Sequence, residues 1–140
     1  MFGGEPVMKE HNSNAGAELL FILRQQRYLY HQLKDLTRRQ QQLAGANSPE
    51  LLLEVISGRR KLLEKLREME TKLRPIKTNW QKLRSQIGPE YRDEVQETAN
   101  QVQEIIGEIL TVGPGETARN LPLDKDFEFS EHFAQRQPQS

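Results

Sequence analysis

The sequence predicts an all-α protein: an elongated antiparallel helical hairpin plus a third helix, coiled-coil-like, with disordered termini. Three observations lead there. Leu19, Ile22, Leu29, Leu33, Leu36 and Leu43 recur at steps of three, four or seven residues. Leu52, Val55, Leu62, Leu66, Met69, Leu73, Ile76, Trp80, Leu83 and Ile87 repeat the pattern after a short break. Each run places apolar side chains at the a and d positions of a helix, the seam of coiled-coil packing. Glycine-proline punctuation at Gly45–Pro49, Gly88-Pro89 and Gly113-Pro114-Gly115 then cuts the chain into three helical stretches.

Residues 1–14 hold Gly3, Gly4, Pro6, Asn12, Ser13 and Asn14 without apolar periodicity, and are expected to be disordered. The three-helix domain should occupy 15–112, followed by a flexible tail over 113–140. Its first helix should run from about Ala15 to Ala44, with Glu18 meeting the positive end of the helix dipole in the first turn. Gln26 and Gln40 replace apolar residues at a positions, which costs stability and fixes register. Leu20, Leu23 and Tyr30 widen the stripe, so this helix should meet more than one neighbour.

In the first turn, Gly45 suits a left-handed C-cap, Ser48 an N-cap, and Pro49 the first helical position. So short a link makes the flanking helices antiparallel neighbours. The second helix should extend from Pro49 to about Ile87, weakened by Gly58 and kinked or divided at Pro75. Arg59 interrupts its seam, where its stem can cover apolar surface while the guanidinium reaches water. The third helix should run from Pro89 to about Val112. Register about the two turns sets Leu19 near Arg74, Leu33 near Arg60, Val95 near Lys82 and Ile109 near Glu68. A three-helix region is then expected around 66–75, with a two-helix arm reaching the Gly45 turn.

Composition narrows the function. Hydrophobic residues make up 35% and charged residues 29%, a balance for narrow seams rather than a thick core. The absence of cysteine excludes disulfides, thiolate nucleophiles and Cys-ligated zinc, and fits a reducing cytoplasm. MFGGEPVMKEHNSN lacks the basic and apolar regions of a secretory signal, and no apolar run approaches the ~20 residues that cross a bilayer. A cytoplasmic location without membrane insertion is expected.

Charge is unevenly spread. Residues 18–87 hold fifteen Lys/Arg against seven Asp/Glu, a net +8, whereas 88–140 hold four against eleven, a net −7. The acidic third helix should therefore pack on the basic hairpin. A nucleic-acid or lipid surface built from Arg59, Arg60, Lys61, Lys65 and Arg67 is disfavoured, because Glu54, Glu64, Glu68 and Glu70 punctuate the stretch at helix-pairing distances.

Nothing points to catalysis. His11, His31 and His132 lie in separate segments without metal-ligand spacing, and there is neither a phosphate-binding Gly-rich loop nor a nucleophile elbow. No enzyme activity, cofactor or metal is expected. The residues left to carry function are apolar. Trp80 either packs against Tyr91 or Val95 or anchors a partner. The stripe of the third helix, Val95, Val102, Ile105, Ile106, Ile109 and Leu110, either completes the bundle or stays partly open as a groove for a partner's amphipathic helix. Phe127, Phe129 and Phe133, in a polar and acidic tail, form either a docking motif or a segment that folds back over the bundle.

Over roughly residues 18–110 the chain resembles the FlgN family of flagellar export chaperones. The resemblance is carried by ELLFILRQQRYLYHQLKDLTRRQQQL, GANSPELLLEVISGRRKLLEKL, LRPIKTNW and EVQETANQVQEIIGEIL. It implies a cytoplasmic chaperone that binds the C-terminal helices of flagellar hook-associated proteins and delivers them to the flagellar type III export apparatus, as a monomer or weak dimer. On this chain the cargo surface would be Val102, Ile105, Ile106, Ile109 and Leu110 of the third helix. Family members often continue that helix with a charged stretch, where this chain has Thr-Val-Gly-Pro-Gly. The alternative is a structural coiled-coil adaptor that self-associates or bridges partners through the same seams.

Overall fold

The structure is a computed structural model that describes the backbone of residues 4–113 and Leu121, with side chains from residue 15 onward. Over the described residues it is all-α, with four helices: α1 (Gly4–Ala44), α2 (Pro49–Thr78), α3 (Trp80–Gln86) and α4 (Pro89–Val112). Every residue of the two heptad runs is buried or half-buried.

α1 starts at Gly4 rather than near Ala15. The only strong breaker nearby, Pro6, falls in the first turn, where its missing N–H costs nothing. From there each further residue adds a hydrogen bond to an existing helix. Residues 1–3 lie outside the described part.

The turn after α1 forms with different chemistry from that expected. Gly45 has no left-handed φ, and the turn closes instead through the Ala46 amide, which donates to the Leu43 carbonyl at 3.0 Å. Ser48 holds the N-cap position of α2 but makes no side-chain cap, and its carbonyl accepts from the Leu52 amide. Pro49 opens α2 as its residue type predicts.

The second predicted helix is divided, four residues beyond Pro75. At Asn79 the backbone leaves helical geometry (φ −102°, ψ 18°). Both the Asn79 amide and its Nδ2 donate to the Pro75 carbonyl, at 3.1 and 3.2 Å. In the stretch leading to Asn79 the hydroxyls of Thr71 and Thr78 bond to the carbonyls of Arg67 and Arg74. Such side-chain bonds compete with the backbone ladder and bend helices. The helix resumes as α3 at Trp80 and ends at Gln86, with Ile87 as its C-cap, before Gly88-Pro89 starts α4.

α4 returns beside α1 instead of packing chiefly on α2. The two run parallel, as a ladder of neighbours shows: Gly16 with Tyr91, Arg24 with Glu94 at 3.8 Å, Arg27 donating to Gln101, and Lys34 donating to Glu108 at 2.8 Å. The expected pairing of acidic helix and basic hairpin is thus realised on α1. At the head of this ladder a Cβ on Gly16 would lie 3.2 Å from the Tyr91 ring, so a side chain there would make the ring give by a few tenths of an ångström.

α1 and α2 are antiparallel, with Gly58 against Leu36 and Arg59 donating to Gln40 at 3.1 Å. Two interruptions of the heptad pattern, one on each helix, therefore satisfy each other. The core has an upper cluster of Leu19, Leu20, Ile22, Leu23, Leu73, Trp80, Ile87, Val95 and Ala99. A lower cluster joins Leu29, Tyr30, Leu33, Leu62, Leu63, Leu66, Val102, Ile105, Ile106, Ile109 and Leu121. Met69 packs against both. Three-helix packing thus covers far more than residues 66–75, because α4 follows α1 down to the level of Lys34. Beyond it, the ends of α1 and α2 remain a two-helix arm, as the register arithmetic anticipates.

Candidate partner-binding surface

The expected cargo stripe lies in the interior. Val95 and Ile109 have 0% of their surface exposed, and Val102, Ile105 and Ile106 are buried with them. Leu110 is half-buried against the same lower cluster. These six side chains supply α4's share of the core, so a partner would reach them only by displacing α1 or α2. The stripe is broad because α4 faces both helices, and that breadth is what the sequence reading takes for a spare edge. Trp80 is buried with Val95, with Tyr91 packed beside it. Phe127, Phe129 and Phe133 lie outside the described residues.

Exposed apolar surface is concentrated on the hairpin. Phe21 is 63% and Tyr28 62% exposed on α1; Leu51 is 52% and Leu53 65% exposed at the start of α2. Phe21 and Tyr28 stand seven residues apart, on one face of α1 with Gln25 and Gln32 between and beyond them. Sequence reasoning passes over this pair because neither residue is on the a/d seam. The available signal is the i, i+7 spacing of two aromatics among glutamines.

Tyr28 borders a groove of about 450 Å³ between α1 and α2, lined also by Gln25, Leu29, Gln32, Lys65, Glu68, Met69 and Lys72. Leu29 is buried and Met69 half-buried, which gives the groove an apolar floor. Its walls are the exposed side chains of Gln25, Tyr28, Gln32, Lys65, Glu68 and Lys72. Glutamine amides and lysine stems can follow a partner helix while keeping their polar ends in water. α2 is predominantly basic here: its exposed charged side chains from Arg60 to Arg74 are Arg60, Lys61, Lys65, Arg67, Lys72 and Arg74, against Glu64 and Glu68. Of the basic residues singled out in the sequence, Arg59 is half-buried and tied to Gln40, while Arg60, Lys61, Lys65 and Arg67 are exposed.

On the α4 side, the hydrogen bond and charge of Lys34 hold the Glu108 carboxyl below its usual range, with Arg38 and His31 adding to the effect. In the interior, burial and then the Glu70 carboxylate push the Tyr30 phenol far above its ordinary value. Glu70 itself pairs with Lys77. Among the described residues no group of His, Asp and Glu is placed to hold a metal ion, and no helix is long and apolar enough to cross a membrane. No protein-family model matches the chain, and neither a curated protein nor a solved structure matches it.

Proposed function

We propose that this chain is a non-catalytic cytoplasmic chaperone that binds an amphipathic helix of a partner protein in the α1/α2 groove. The observation that carries the reading is the juxtaposition of an apolar floor, Leu29 and Met69, with the exposed aromatics Tyr28 and Phe21 along one face of a helical hairpin. A helix laid in such a groove buries its apolar stripe and adds a fourth layer to a three-helix bundle. The resemblance to the FlgN family supplies the cargo class: the C-terminal helices of flagellar hook-associated proteins, held until delivery to the flagellar type III export apparatus. The groove replaces the α4 stripe as the proposed contact surface. Hydrogen exchange tests it. Addition of such a helical segment is expected to protect α1 over residues 21–32 and α2 over 65–72, and Phe21→Glu with Tyr28→Glu to abolish that protection. Protection confined to α4, or none, would refute the assignment.

A second reading, a self-associating coiled-coil adaptor, is favoured by Leu51 and Leu53, which project into solvent from the arm. It predicts a species whose mass by light scattering rises with concentration and returns to monomer in Leu51→Glu with Leu53→Glu. A monomer at every concentration would exclude it.

A further inference from the structure

The chain carries a segment whose chemistry complements the groove. Between Asp124 and Phe133 the sequence DKDFEFSEHF holds Asp124, Asp126, Glu128 and Glu131 against the single Lys125, together with Phe127, Phe129 and Phe133. The groove offers the complement: Lys65 and Lys72 against Glu68 on its rim, more cations than carboxylates on the α2 surface around it, and an apolar floor. The anchor of the segment shares a cluster with the groove's floor. Leu121 is buried in the lower core cluster, the same cluster that contains Leu29 and has Met69 packed against it. The groove's floor and the anchor of the tail are therefore parts of one apolar body. Phe127 is six residues beyond that anchor, a reach of up to about 20 Å in extended chain.

We propose that the acidic, phenylalanine-bearing segment Asp124–Phe133 docks in the α1/α2 groove of its own chain and occupies it in the absence of a partner. The proposal deepens the chaperone reading, on which its role as a competitor rests. A polar groove with a net positive rim, a basic α2 surface around it and an apolar floor favours an acidic segment with aromatic anchors by both charge and burial. A tethered occupant gains effective concentration that a free partner must overcome, so the groove opens only to a helix that binds it better. The surface would then be covered whenever cargo is absent.

The absence of cysteine makes the test free of background. Gln25→Cys places one thiol on the groove wall of the full-length chain, and Gln42→Cys places one on the exposed end of α1 as a control. Alkylation at position 25 is expected to be about tenfold slower than in the same chain carrying Phe127→Ser, Phe129→Ser and Phe133→Ser, equivalent to ~1.4 kcal/mol in favour of the closed form. High salt should narrow the difference, and the rate at position 42 should not respond. Equal rates at position 25 in the two chains would overturn the proposal. Slower alkylation that appears only at high protein concentration would also overturn it, by assigning the cover to a second copy. Adding a hook-associated helical segment separates the two ideas. Protection of position 25 by that segment in the triple-serine chain, without protection by the tail in the parent, leaves the chaperone reading standing and removes the tail. Protection by the tail alone does the opposite.

Discussion

Ile109 lies in the lower cluster with no accessible surface. A carboxylate there would be buried without a partner. Ile109→Asp is therefore expected to cost about 4 kcal/mol or more, comparable with the whole stability of a small domain, and to abolish cooperative thermal unfolding. Retention of a normal melting transition would show that α4 is peripheral to the core. Gly107 sits in the same helix with open space around it, so a methyl group there meets nothing. Gly107→Ala should stabilise the fold by about 1 kcal/mol, measured in urea, by removing backbone freedom from the unfolded chain. Tyr30 gives a pH signature. Its folded pKa is raised, so its contribution is present below the unfolded value near 10 and is lost as pH rises above it. Tyr30→Phe should keep the protein folded further into the alkaline range, and an unchanged alkaline transition would count against that origin. At this scale the apolar residues of the seams were legible because period alone decides them. The use of α4's stripe was not, because an isolated sequence does not show how many neighbours a stripe will meet.

Helices were easier to read than their junctions. Pro49, Gly88-Pro89 and Gly113 mark real boundaries, since missing N–H groups and the absence of a Cβ act locally. The break at Asn79 was hidden because it depends on one amide side chain sharing a carbonyl with the backbone. Pairing of Arg59 with Gln40 was hidden for a related reason: each looks like a flaw in its own helix, and only the antiparallel register makes them partners. A double-mutant cycle on Arg59→Met and Gln40→Met should show a coupling of about 0.5–1 kcal/mol. Additive effects would mean that the two sites stabilise the arm independently.

In the whole molecule, α1 is the shared helix, with α2 on one side and α4 on another. That arrangement closes the core and leaves the outer α1/α2 groove uncovered by α4. It was not legible because the register about the second turn fixes where α4 lies along α2, not which side it takes. On α1 the groove's lining follows the spacing of Tyr28 with Gln25 and Gln32, but that spacing does not show which residues of α2 stand opposite. Its walls being polar, substitutions there should spare stability while changing association, the reverse of what the α4 stripe predicts. The most direct test is calorimetric titration of the full chain carrying Phe127→Ser, Phe129→Ser and Phe133→Ser with a C-terminal helical segment of a hook-associated protein. With the tail's anchors removed, competition from within the chain is not a factor. Saturable one-to-one binding, lost when Tyr28→Glu is added while the melting temperature stays unchanged, is the predicted result. Binding that survives Tyr28→Glu, or no heat of binding at all, would contradict the groove as the proposed partner site.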